Sequence, residues 1–142
     1  MEDGLLREVL SAIDTWKPRR AWKTKIGYRR DLVHHLTGLL VKDPAQLDIV
    51  IERGKSRCDI VVNGVIGIKV NKNVAYVMQV HRLGGQLAQF QRAYRHVIIL
   101  TVGTTRGKAG ALLREKIAAV SHRSASVTLV EKQWPPQKSA GA

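Results

Sequence analysis

Between Arg57 and Asn73 the chain reads RCDIVVNGVIGIKVNKN, two β-branched runs on either side of Asn63-Gly64 with one carboxylate at Asp59 and a lysine at Lys69. Side chains alternate between the two faces of a strand, so a slip of one residue turns every side chain over. A two-residue Asn63-Gly64 loop would set Asp59 against Ile68 and Cys58 against Lys69, mixing polar and apolar groups on both faces. A loop of Asn63 to Val65 instead gathers Cys58, Ile60, Val62, Ile66, Ile68 and Val70 on one apolar face, and Arg57, Asp59, Lys69 and Asn71 on the other. The second register is expected, with Asp59 opposite Lys69.

The remaining segments supply partners for this hairpin. Leu5, Leu6, Val9, Leu10 and Ile13 recur at helical spacing, predicting an amphipathic helix over residues 3–16 that Pro18 ends. Leu32, Leu36, Leu39 and Leu40 predict a second helix over residues 28–41, broken by the DPAQ of residues 43–46. LDIVIER alternates as a strand and GKS makes a turn into the hairpin. A long helix is expected over residues 74–94, capped near Asn73 and interrupted at Gly84-Gly85. HVIILTV is a continuous apolar run that suits a strand buried on both faces. A helix over residues 108–121 and a last strand, SVTLVEK, follow. An antiparallel meander followed by strand-helix-strand crossovers calls for a mixed sheet with helices on both faces.

At 142 residues the chain fits one domain, taken as residues 1–132, with a basic connector at 17–27 and a disordered Pro-containing tail at 133–142. The opening MEDGLLREVL lacks the basic-then-apolar pattern of a secretory signal. No run reaches the roughly 18 apolar residues of a membrane span. An intracellular protein, cytoplasmic or nucleoid-associated and without a membrane partner, is expected. Cys58, alone in an apolar strand pattern, reads as a buried and inert thiol.

The net charge of +13 is the strongest functional signal, because an excess of that size attracts polyanions. The signs are also segregated. Lys17, Arg19, Arg20, Lys23, Lys25, Arg29 and Arg30 follow Trp16 with no acid among them, and no Asp or Glu occurs from Ile60 to Arg114. Trp16 and Trp22 either stack on bases or, as the favoured reading, anchor the core. The adjacent His34 and His35 lack the spacing of a helical metal pair. GTTRGKAG has one residue too few between Gly103 and Gly107 for a phosphate loop, and Ala109 stands where Ser or Thr would hold magnesium, so an ATPase is not expected. That segment is either a plain turn or a phosphate grip using Arg106 and Lys108.

The element order, with RCDIVVNGVIGIKVNKN, HRLGGQLAQFQRAY and HVIILTVG, resembles the PD-(D/E)XK nuclease superfamily, whose members include Holliday-junction resolvases and RecB-type nucleases. The likeness spans about residues 28–103. It implies an α/β, restriction-endonuclease-like mixed β-sheet with helices on both faces, in the order ααβββαβαβ. In that family an Asp on one hairpin strand and a Glu-x-Lys on the next hold a divalent metal and a water for phosphodiester cleavage. Carried over by position, the aspartate falls on Asp59, the glutamate on Lys69 and the lysine on Asn71. An acid on the preceding helix would fall near Lys25, and the Gln-x-x-x-Tyr element matches Gln86 with Phe90 in place of tyrosine.

Magnesium needs hard oxygen ligands, and an ammonium opposite Asp59 competes with it. Asp59 and Lys69 are therefore expected to form an ion pair in a former metal site, with no cofactor. The expected function is nucleic-acid binding without cleavage, to duplex or branched DNA and mainly through phosphates. Arg19, Arg20, Lys23, Lys25, Arg29 and Arg30 would form one patch, and Lys69, Lys72, Arg106 and Lys108 would line the former cleft. Two other readings stand beside it. One is an active Mg²⁺-dependent endonuclease or resolvase that uses Asp59 with Glu52 or Asp48, Asp31 being a further carboxylate to hand. The other is a scaffold, viral or ribonucleoprotein component. Related nucleases often pair, which implies a homodimer by resemblance alone.

Overall fold

The structure, a computed structural model, describes residues 2–42, 47–52, 57–105, 107–124 and 126–134. Its elements are α1 (Glu2–Thr15), α2 (Lys25–Leu40), β1 (Ile49–Ile51), β2 (Ile60–Val62), β3 (Ile66–Val74), α3 (Val77–Ala93), β4 (His96–Thr105), α4 (Gly107–Arg123) and β5 (Val127–Lys132). They form a mixed α/β fold in the expected order. The five strands lie in the sheet in chain order. β1, β2 and β3 are antiparallel neighbours, and β4 and β5 continue the sheet in parallel. The expected break at residues 43–46, the turn at 54–56, Arg106 and the tail beyond Trp134 lie outside the described residues.

Alternation sends each strand's side chains into two cores. On one face Val9, Ile13 and Trp16 of the α1 region and Leu32 and Leu36 of α2 bury Ile60, Ile66, Ile68, Val70, Ile98 and Leu100. On the other, Val80, Leu83, Leu87 and Phe90 of α3 and Leu113 and Ile117 of α4 bury Val61, Val97 and Ile99. β4 is thus covered on both faces, as its unbroken apolar run requires. No helix among the described residues is long and apolar enough to cross a membrane.

The hairpin takes the register with Val62 opposite Ile66 and Ile60 opposite Ile68. Asn63 and Gly64 both adopt left-handed φ, at 54° and 69°. The Val65 N–H closes the turn on the Val62 carbonyl at 3.1 Å. One residue departs from the expected pattern. Cys58 belongs to the α3/α4 core rather than to the face shared by Ile60 and Val62, because the chain bends at Asp59 and strict alternation stops there.

Three further boundaries differ from expectation. α2 starts at Lys25, a turn earlier than residue 28. β3 runs on to Val74 and α3 begins only at Val77, because β4 offers parallel partners as far as Lys72↔Val102 and Val74↔Thr105. Each ladder position satisfies backbone groups that a helix start would leave open. Asn73 therefore sits in an irregularity of the strand at φ 51° and does not cap α3. Gly103 faces it, and a Cβ there would lie 2.1 Å from the Asn73 Oδ1. Gly84-Gly85 leaves α3 unbroken, and the Lys116 side chain of α4 lies where a Gly84 side chain would extend. At the other end Trp134, expected in the tail, packs partly buried against the α1/α2 core.

Candidate nucleic-acid interface

Asp59 stands where β2 has not yet begun, opposite the continuing β3. Beyond Ile68 that strand lacks a β2 partner, and the Asp59 Oδ2 accepts the Val70 N–H at 2.8 Å in place of a strand carbonyl. The carboxylate, whose side chain is only 7% exposed, is ringed by cations. Its Oδ1 lies 3.2 Å from the Lys25 Nζ and 3.6 Å from the Arg29 guanidinium, and its Oδ2 lies 3.8 Å from the Lys69 Nζ. Lys69 comes from the hairpin, as its register predicts, while Lys25 and Arg29 come from adjacent turns of α2. Three cationic side chains thus share a single acceptor. Burial, reinforced by repulsion from Lys25, holds the Lys69 ammonium below the usual lysine range despite the attraction of Asp59.

Above the cluster opens a cleft of about 490 Å³ between the end of β3 and α3. Lys25, Lys69, Lys72 and Arg82 are its charged lining residues, and Asn71 and Gln86 add amides. The sequence-matched positions Lys69, Asn71 and Gln86 therefore line one cleft, and Lys69 links it to Asp59. Arg82 joins them without having been expected; it falls on the cleft side of α3, four residues before Gln86. Lys72 also donates to the Lys23 carbonyl, tying the basic connector to the rim of the cleft.

The basic patch expected from residues 19–30 divides in two. Lys25 and Arg29 turn inward, and Arg29 is buried against Asp59 instead of facing solvent. Helical spacing could place Arg29 and Arg30 on different faces but not say which face met the hairpin. Arg19, Arg20 and Lys23 stay exposed, as does Arg30. Arg19, Arg20 and Arg30 border a second groove of about 400 Å³ with Trp22 and His34. Its floor holds Asp31, which accepts the Arg19 N–H at 2.7 Å, the Trp22 Nε1–H at 2.9 Å and the Trp16 Nε1–H at 3.1 Å. Burial opposes the charge on Asp31, yet these donors outweigh it and hold the pKa below the ordinary value. Both tryptophans are thus anchored through their indole N–H groups, Trp16 fully buried in the core and Trp22 partly exposed in the groove. Asp31 follows both tryptophans in the chain, nine residues beyond Trp22, and local spacing gave no sign of this arrangement.

Glu52, Asp48 and Asp31 do not join Asp59 in a metal site. Glu52 pairs through its backbone with Asp59, but its side chain takes the Tyr94 hydroxyl at 3.3 Å and Arg57 at 3.5 Å. Asp48 lies at the opposite end of β1, where its N–H donates to the Asn63 side chain at 2.9 Å. At about 3.3 Å per strand residue, it stands on the order of 13 Å along the strand from the Asp59 level. Asp31 is committed to the tryptophans. Among the described residues no three His, Cys, Asp or Glu side chains converge. A hard divalent cation needs oxygen ligands where Asp59 has three cations, so these residues do not fit one.

Cys58 is buried, and burial, with the Asp59 charge beside it, pushes its thiol up to about 12, in keeping with an inert role. Lys108 is exposed in the first turn of α4. Gly103–Thr105 continue β4 rather than forming a loop, and Arg106 is outside the described residues. No protein-family model matches the chain, and no curated protein is similar enough to count as a relative.

Proposed function

We propose that this chain binds nucleic acid through the cationic cleft above Asp59, gripping backbone phosphates, and does not cleave them. The observation that carries the reading is the environment of Asp59: its carboxylate is engaged by Lys25, Arg29 and Lys69, and Lys25 and Lys69 in turn line a cleft whose charged lining residues are all cationic. A phosphate entering there meets ammonium and guanidinium groups together with the amide donors of Asn71 and Gln86. Arg19, Arg20 and Arg30 add a second positive surface. Duplex DNA is the ligand proposed, with RNA or a protein scaffold as competing outcomes. The PD-(D/E)XK likeness supports this reading: by that likeness Asp59 and Lys69 fall on the family's metal-holding acids, with a lysine in place of the second acid.

Anisotropy titration of a labelled DNA duplex tests it. Affinity should fall with salt at a log-log slope of roughly −0.9 per phosphate neutralised, and Lys69→Gln or Lys72→Gln should flatten that slope by about one each. A binding constant that does not change between about 50 and 200 mM salt would overturn phosphate binding. Plasmid nicking in Mg²⁺ or Mn²⁺, abolished by Asp59→Ala, would overturn the claim that the chain does not cleave.

A further inference from the structure

Beside the cleft stands a pair of side chains that phosphate binding does not use. Tyr76 and Met78, 71% and 70% exposed, occupy the N-terminal end of α3, and neither belongs to either hydrophobic core. Val74 before them and Gln79 and Val80 after them line the cleft, so the pair stands at its lip. The segment is held in shape: the Gln79 Oε1 accepts the Ala75 N–H at 3.0 Å and the Tyr76 N–H at 2.9 Å, and the Gln79 N–H donates to the Tyr76 carbonyl at 3.1 Å. Tyr76 and Met78, with Val77 between them 38% exposed, make a run of three exposed apolar residues beside the cationic cleft.

We infer that Tyr76 is a stacking platform for an unpaired base of the nucleic acid whose backbone lies in the cleft. The inference rests on the proposed phosphate binding. Lys72 and Arg82 flank the pair in sequence and line the cleft, so a strand drawn in by its phosphates is brought to the platform. The Tyr76 hydroxyl can donate to a phosphate, but the face of its ring matches the π-face of any base, and stacking is tolerant of sequence. Bases inside a duplex already stack on each other. The platform therefore selects a base at an end, a gap or a bulge over one in continuous duplex.

Two DNA probes of equal length separate the possibilities, one a continuous duplex and one carrying a single unpaired 2-aminopurine. The protein should bind the second about tenfold more tightly and quench its fluorescence. Tyr76→Ala should abolish the preference and the quenching while leaving continuous-duplex affinity within about twofold, as expected for an exposed side chain. Tyr76→Trp should keep both. Equal binding of the two probes by the unmodified chain would overturn the platform and leave the pair to a protein partner. So would a Tyr76→Ala variant that loses affinity for both probes equally. Failure of the unmodified chain to bind either probe would instead overturn the phosphate reading on which the platform stands.

Discussion

The Tyr94 hydroxyl accepts the Cys58 backbone N–H at 3.1 Å, pinning the end of α3 to the residue that precedes Asp59. The same hydroxyl donates to Glu52 at 3.3 Å, and its ring lies against Gly67, where an added Cβ would stand 2.6 Å from it. Position 67 must therefore lack a side chain for Tyr94 to reach the strand.

Tyr94→Phe should leave the buried Cys58 N–H without its acceptor and cost about 1–3 kcal/mol of stability. Gly67→Ala should cost at least as much, about 1–3 kcal/mol or more, because a ring and a strand must move apart. Denaturant unfolding of the two variants and their combination checks this. The two losses should be less than additive, since either change releases the same contact.

Asp31 predicts an acid limb of stability. Its folded-state pKa is depressed, so its contribution is complete above the unfolded value of 3.8 and is lost as pH falls through the lower folded value. Asp31→Asn should reduce stability by about 1.5–3 kcal/mol at neutral pH, for want of the charged acceptor, and should remove that portion of the acid dependence. Tryptophan fluorescence reports the unfolding directly, since Trp16 and Trp22 are the donors.

Asp59→Asn is expected to move stability and binding in opposite directions. Removing the carboxylate leaves Lys25, Arg29 and Lys69 facing one another, at a cost of about 3–5 kcal/mol as for other broken buried pairs. The cleft meanwhile gains one net positive charge, so DNA affinity at low salt should rise. Thermal unfolding paired with anisotropy titration measures both; a parallel loss of stability and affinity would contradict the prediction.

Lys69 should release its proton at lower pH than an ordinary lysine, with burial and Lys25 as the causes. Its folded pKa is below the unfolded 10.5, so the unfolded chain holds more protons between those two values. Its share of stability must rise with pH across that window. A phosphate in the cleft favours the charged form again, so DNA binding in the same window should take up a proton. NMR titration of labelled lysine side chains checks the first statement. Calorimetry in buffers of different ionisation enthalpy checks the second, and Lys69→Gln should remove the buffer dependence.

The period-two pattern from Arg57 to Asn73 was enough to choose the hairpin register and to set Asp59 opposite Lys69, because one slip would have mixed polar and apolar side chains on both faces. The apolar run from His96 likewise announced a strand covered on both faces, and the order of the elements called for a mixed sheet. Those properties belong to single elements or to neighbours joined by a short turn, and local spacing encodes them. Tertiary structure alone decided that Lys25 and Arg29 turn in to Asp59, that Asp31 holds both tryptophans, and that Glu52 spends its carboxylate on Tyr94 and Arg57. It also turned Cys58 to the opposite core. Spacing tells which side chains share a face, whereas the ends of α2, β2 and α3 meet at Asp59 only once two cores have packed on one sheet.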